Sequence, residues 1–273
     1  MSHLDYLNTN RFPHKMCAGC GHGMSMAAVA RALEELDLDP HKLVAVSGIG
    51  CWARLDGYLN CNSFHGTHGR ALAFATGIKV ANPELTVIAA CGDGDGATIG
   101  GNHLIHAARR NIDMTVIMAN NYNYGTTGGQ YSSTTPEHSI TATSVYGHIE
   151  RGLDVCKLVE AAGATYVART TCDNVLQAKK FIVEGVRHKG FSFIEILSPC
   201  PTHFGKNNSY ARPSDLIRGL QKVTYPIAKA DGMTAEEKRG KLAVGKLVEI
   251  NDELDYSTKY EQLRAIAQKE AEA

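Results

Sequence analysis

Two textures of hydrophobicity alternate along the chain. Short unbroken apolar runs at Leu43–Ser47 (LVAVS), Leu85–Ala90 (LTVIAA), Met114–Ala119 (MTVIMA), Thr165–Arg169 and Phe191–Leu197 read as buried strands. Between them, Met24–Leu36, Arg70–Val80, a stretch near Asn102–Arg110, Asp154–Ala162 and Asn174–His188 carry apolar residues at helical spacing. A polar stretch from about Asn120 to Arg151 reads as one long loop, and loops of that length in compact domains usually carry function. Continuous apolar strands separated by amphipathic helices predict an α/β fold, a mostly parallel sheet flanked by helices on both faces. Ligands on such sheets sit beyond the carboxyl ends of the strands, where the Gly-rich segments of this chain fall.

The pattern changes after Pro201. Residues Phe204–Ala273 are rich in charge, with two surface helices expected near Ala235–Leu247 and Tyr260–Ala271. The expected division is therefore 1–205 as the ligand-binding domain and 206–273 as a C-terminal extension. That extension either packs on a partner or forms a solvated helical tail.

Composition narrows the field. The 273 residues are 44% hydrophobic and 21% charged, ordinary for a soluble globular protein. Lys+Arg and Asp+Glu both number 28, and no basic stripe suggests nucleic acid. No apolar run could cross a bilayer. The segment MSHLDYLNTNRFPHK lacks the apolar core of a signal peptide, so a cytoplasmic, reducing location is expected. There, eight cysteines bind metal or stay free rather than pair as disulfides.

The Leu85–Ala90 run enters Cys91-Gly92-Asp93-Gly94-Asp95-Gly96, and the next strand enters Asn120-Asn121. Between Gly94 and Asn120 lie 25 residues, enough for one helix and one strand, so both turns fall at the same edge of the sheet. A carboxylate from Asp93 and an amide oxygen from Asn121 would converge there. With a backbone carbonyl, two diphosphate oxygens and a water they would suit Mg²⁺, which prefers six oxygens. Glycine lets backbone N–H groups approach phosphate closely. A plain pair of turns without a ligand is the alternative.

Cys17-Ala18-Gly19-Cys20 places two thiols one turn apart, while Cys51 and Cys200 each follow a strand in a Gly- or Pro-rich turn. Four thiolates gathered at one sheet edge could hold a 4Fe-4S cluster. Structural zinc or free thiols account for the spacing equally well. His65 and His68, three apart in FHGTHGR, could bind a metal, but no third ligand is evident and a helix-start cluster is an alternative.

GDG followed at this distance by NN resembles the signature of thiamine-diphosphate enzymes. The longer string GDGDGATIGGNHLIHAARRNIDMTVIMANNYNYGTTGGQYSSTTP, together with HGTHGRALAFATGIKVANPEL and SPCPTHFG, resembles the beta subunit of 2-oxoacid:ferredoxin oxidoreductases. The resemblance spans about residues 12 to 206. It implies the thiamine-diphosphate-binding fold and Mg²⁺ held by Asp93, Asn121 and the main-chain oxygen of Asn123. It also implies cofactor contacts from Ile49, Gly50, Cys51, Trp52, His68, Gly69, Gly94, Asp95, Gly125 and Thr126. It places 4Fe-4S ligands at Cys17, Cys20, Cys51 and Cys200, leaving Cys61, Cys91, Cys156 and Cys172 as ordinary thiols. His68 is implied to hydrogen-bond the diphosphate and His65 to lie near the reactive carbon. Trp52 stands where a smaller residue is usual in the family, and covering the cofactor or the cluster is its expected role.

The implied activity is coenzyme A-dependent oxidative decarboxylation of a 2-oxo acid, in either direction, with electrons passing through the cluster to ferredoxin. The Tyr124–Gln130 segment resembles enzymes acting on 2-oxoglutarate or branched-chain 2-oxo acids, with 2-oxoglutarate favoured. No Glu in this chain is placed to protonate the aminopyrimidine ring. The resemblance assigns that Glu to an alpha subunit, so a heterodimer or a dimer of heterodimers is expected. Two rivals stay open: a non-redox thiamine-diphosphate decarboxylase subunit with zinc or free thiols, and a non-catalytic binding protein stapled by zinc.

Overall fold

A computed structural model describes residues 1–272. Its strands are β1 (Leu43–Ser47), β2 (Asn62–His65), β3 (Thr86–Gly92), β4 (Met114–Asn120), β5 (Tyr166–Thr171), β6 (Phe191–Leu197), β7 (Thr224–Pro226) and β8 (Leu242–Glu249). They form one sheet in the order β2-β1-β3-β4-β6-β5-β8-β7. β1 to β6 are parallel to one another, and β8 runs antiparallel beside β5. The helices are α1 (His22–Leu36), α2 (Leu55–Tyr58), α3 (Ala71–Ala81), α4 (Gly101–Arg109), α5 (Val155–Ala161), α6 (Val175–Arg187), α7 (Pro213–Lys222), α8 (Ala235–Lys238) and α9 (Tyr256–Glu272).

Alternate side chains of each strand feed opposite faces. Ile88 and Ala90 of β3 pack under α1 and α6 with Val29, Leu33, Phe181 and Ile182. Val87, Ala89 and Cys91 of the same strand pack under α3, α4 and α5 with Leu72, Leu104 and Val159. All seven residues of β4 are buried, which is why its sequence is an uninterrupted apolar run rather than an alternating one. Each such aliphatic side chain contributes about 1.5–3 kcal/mol relative to exposure. The chain visits β1, then β2 on one side, then β3 on the other. The order therefore reverses at β1, and a crevice opens beyond the carboxyl ends of β1 and β3.

The tail differs from its expected form. Only Ala235–Lys238 of the first expected helix is helical, and Leu242–Glu249 is the strand β8. A helical periodicity fails there because Gly245 takes φ +135° and the ladder to β5 slips between Val167 and Ala168. Residues 206–249 also hold α7, whose Leu216 and Leu220 are buried against the main core. The last helix, α9, is exposed along most of its length, including Leu263 and Ile266. β2, unpredicted, is an exposed edge strand that pairs only with β1. Among the described residues no helix is long and apolar enough to cross a membrane.

Candidate active site

Parallel register places Gly92 of β3 opposite Ala119 of β4, so Asp93 and Asn120-Asn121 leave the sheet side by side. Beyond Gly92 the backbone tightens at once into a π-helical turn, Asp93–Ile99, that precedes α4. Asp93 is 1% exposed. Its Oδ1 accepts the Asn121 N–H at 3.1 Å, and its Oδ2 accepts the Ser132 and Thr134 hydroxyls at 2.5 and 2.9 Å. Burial pushes its pKa up to about 6 even though all these hydrogen bonds pull it down. The carboxylate is thus held by the dipoles of these three donors. Nearby, Asn121 Oδ1 accepts the Asn123 N–H at 3.2 Å. Both polar atoms of the Asn123 side chain and Asp95 Oδ2 are buried with no partner. Buried oxygens left unsatisfied around one carboxylate suit a hard cation such as Mg²⁺.

Asp93, Asn121 and Asn123 line one cavity together with Ile49, Gly50, Cys51, Trp52, His68, Gly94, Asp95, Gly125 and Thr126. Of the expected cofactor contacts only Gly69 lies outside the lining, and it braces the cavity from behind. Asp95 Oδ1 collects the Gly69 N–H at 2.7 Å, the Ile49 N–H at 3.1 Å and His68 Nδ1 at 2.6 Å. That carboxylate ties the exit of β1 and the loop before α3 to the GDGDG turn, while its Oδ2 is buried without a partner. With Nδ1 engaged by Asp95, His68 has Nε2 available for the cavity. A Cβ on Gly94 would strike the Tyr124 ring at 2.6 Å, and the Tyr124 hydroxyl donates to Gly94 O at 3.1 Å, so glycine is required there. His65 does not line the cavity. Its Nδ1 stands 2.8 Å from Asp56 Oδ2 and 2.9 Å from Ser47 Oγ, at the half-exposed end of β2.

Cys17, Cys20, Cys51 and Cys200 line a second cavity with His22, Ser198 and Asn121, and the exposed Lys15 and Arg54 also border it. Cys200 arrives there because β6 ends level with β4: Leu197 pairs with Asn120, and the Cys200 N–H donates to Asn121 O at 3.4 Å. Burial raises the Cys20 thiol to about 11, and the nearby Cys17, Cys51 and Cys200 thiols push the same way. Burial likewise raises Cys51, with Cys200 and Cys17 adding to it, against a hydrogen bond with Thr126 Oγ1 at 3.0 Å. Thiols whose ionisation is opposed in this way, Cys20 and Cys51, are stabilised as thiolates by a bound metal cation. Backbone N–H groups of His22 and His203 already point at Cys20 Sγ and Cys200 Sγ, both at 3.4 Å. Among the described residues no three His, Cys, Asp or Glu side chains close on a single ion. The four cysteines nonetheless line one common space. Cys61, Cys91, Cys156 and Cys172 lie outside this ring and are free thiols, the last three buried.

The two cavities share a wall. Cys51 and Asn121 line both. A Cβ on Gly125 would lie 3.4 Å from Asn121 Nδ2, 3.4 Å from Cys51 Sγ and 3.5 Å from Asn123 Oδ1. Trp52 belongs to the lining of the first cavity. Its indole is buried in the main core, with Nε1 donating to Ile117 O at 2.9 Å.

Several functional neighbours carry no local sequence signal. Ser132 and Thr134, which hold Asp93, sit in the long loop. Asn120 donates to buried Glu195 at 2.7 Å, and Glu195 pairs with buried Arg169 at 2.5 Å. Arg169 also engages Asp154, the N-cap of α5, so a buried charge chain links the end of the long loop to the metal-side strand. The usable signal was that a buried carboxylate needs donors, which directs attention to the SSTT run.

Residues 48–196 match the family described as thiamine pyrophosphate enzyme, C-terminal TPP binding domain. A 2-oxoglutarate synthase subunit KorB from Methanocaldococcus jannaschii is 50% identical over 247 residues, 90% of this chain and 92% of that one. A 2-oxoacid:ferredoxin oxidoreductase subunit beta from Saccharolobus solfataricus is 42% identical over 189 residues, 68% of this chain and 62% of that one. Among solved structures, a chain of the 2-oxoglutarate:ferredoxin oxidoreductase from Magnetococcus marinus, with 2-oxoglutarate, coenzyme A and succinyl-CoA bound, superposes with a TM-score of 0.87 at 32% identity. The match covers 98% of this chain and 91% of that chain.

Proposed function

The chain belongs to the beta subunits of the 2-oxoacid:ferredoxin oxidoreductases, and from that premise we propose that its rim carries thiamine diphosphate with Mg²⁺ in one cavity and a 4Fe-4S cluster in the other. The observation that carries this reading is the shared wall of Cys51 and Asn121, which sets a sulfur-lined space directly against an oxygen-lined one. When bound, thiamine diphosphate supplies the carbon–carbon cleavage chemistry and the cluster accepts electrons one at a time.

The chain's own residues bind and orient. Asp93, the Asn121 amide and the Asn123 main-chain oxygen would hold Mg²⁺. Gly94 and Gly125 leave room for the backbone to approach the diphosphate and ring. His68, fixed through Nδ1 by Asp95, would present Nε2 to the diphosphate. Cys17, Cys20, Cys51 and Cys200 would ligate the cluster, with Lys15 and Arg54 offsetting its negative charge. His65, oriented by Asp56, would serve the substrate side of the rim rather than the cofactor.

Among the described residues, the only carboxylates lining the cofactor cavity are Asp93 and Asp95, and both are committed. The acid that protonates the aminopyrimidine would therefore come from an alpha subunit, with ferredoxin as electron acceptor. The proposed substrates are 2-oxoglutarate and coenzyme A, giving succinyl-CoA and CO₂. Reconstitution of the two-subunit complex with a panel of 2-oxo acids tests the assignment. Coenzyme A- and ferredoxin-dependent turnover strongest with 2-oxoglutarate supports it, and turnover without an electron acceptor or without iron contradicts it.

A further inference from the structure

One wall of the four-cysteine cavity carries buried polar groups that have no partner among the described residues. Both ring nitrogens of His22 are buried without a partner, and so is the Ser198 hydroxyl. His22 is 2% exposed. It opens α1, its ring packs 5.5 Å from the Trp52 ring, and its backbone N–H is spent on Cys20 Sγ. The residue therefore sits beside Cys20 Sγ and lines the cavity, with the Trp52 ring as an aromatic neighbour and both ring nitrogens unpartnered. A neutral imidazole has one N–H to give, and a buried donor demands an acceptor.

We propose that the His22 ring N–H donates a hydrogen bond to a sulfur of the iron–sulfur cluster and raises the cluster's reduction potential, with the Ser198 hydroxyl as a second, weaker donor. The inference rests on the cluster reading and adds a positioning and tuning residue to it. Reduction adds negative charge that spreads onto the sulfurs. A donor aimed at them stabilises the reduced state more than the oxidised one. Two backbone N–H groups already act on ligand sulfurs in this way, and His22 supplies the side-chain counterpart on the wall that they leave free.

The test uses the anaerobic two-subunit complex with cluster intact. In redox titrations followed by electron paramagnetic resonance, His22→Phe keeps a ring and loses the donor. It should shift the one-electron equilibrium about tenfold toward the oxidised cluster, about 59 mV lower in midpoint. His22→Gln, which keeps an N–H, should stay near the wild type, and Ser198→Ala should fall in the same direction by less. Electron spin echo modulation of wild-type complex grown on ring-¹⁵N histidine should show a weakly coupled ring nitrogen, absent in His22→Phe. An unshifted potential in His22→Phe with its cluster intact would overturn the proposal. So would a wild-type spectrum without ring-nitrogen coupling, which also decides the matter if His22→Phe fails to assemble. A wild-type complex without iron and sulfide would instead overturn the cluster reading, and this inference with it.

Discussion

Replacing Asp93 with Asn should separate what the metal site costs the empty fold from what it contributes when filled. Asp93 is fully buried, and burial lifts its pKa from 3.8 to about 6. A carboxyl whose folded pKa is raised contributes stability that is present in full below its unfolded value. That contribution is lost as pH rises through the folded value, here between about pH 4 and 6. At 1.36 kcal/mol per tenfold in proton affinity, the ionised form burdens the metal-free protein by about 3 kcal/mol above pH 7. Asn removes the charge, still accepts the Asn121 N–H, and turns its NH₂ toward Ser132 and Thr134, whose hydroxyls can accept. The metal-stripped complex carrying Asp93→Asn should therefore be more stable than wild type at pH 8, by up to about 3 kcal/mol, with the gap about halved at pH 5 and closed near pH 4. Its Mg²⁺-dependent affinity for thiamine diphosphate should fall by at least about a hundredfold. Hydrogen exchange of peptides from β3 and β4 across a urea series reads the first quantity, and calorimetric titration reads the second. A variant equally destabilised at both pH values, or one that keeps wild-type cofactor affinity, refutes the reasoning.

Other consequences follow from the same geometry. Cys20→Ala should lose the iron and sulfide while retaining thiamine diphosphate, read by metal analysis and cofactor fluorescence on one preparation. Gly125→Val should damage both sites together, because its branches would fall on Asn121 and Cys51, and turnover should drop at least about tenfold. Glu195→Ala leaves the Arg169 guanidinium buried and without its more deeply buried charged partner, and should cost about 3–5 kcal/mol in urea denaturation. Glu195→Gln should cost less, since Asn120 keeps its acceptor.

The central strands and helices were legible because burial on two faces writes itself into composition: β6 is predicted to the residue, and β3 and β4 differ from expectation only at their ends. The rim was legible because GDG and NN need no long-range information once their strands are known to be neighbours. Features set by pairing rather than periodicity were not legible. β2 exposes all four of its residues and is a strand only because β1 offers it hydrogen bonds. β8 hides behind a left-handed glycine and a bulge after a helix-favouring AEEK run. The partners of Asp93 lie 39 and 41 residues away in a loop with no pattern of its own. His22 starts α1 two residues ahead of the predicted start, and only the fold reveals that its ring is buried against the cysteine cavity.

Iron-edge anomalous diffraction from the anaerobic complex, crystallised with thiamine diphosphate and Mg²⁺, addresses the arrangement most directly. The expected map has iron density enclosed by Cys17, Cys20, Cys51 and Cys200, with the diphosphate and its metal across the Cys51–Asn121 wall. Zinc at those cysteines, no metal there at all, or a cofactor seated away from Asp93 would contradict the account.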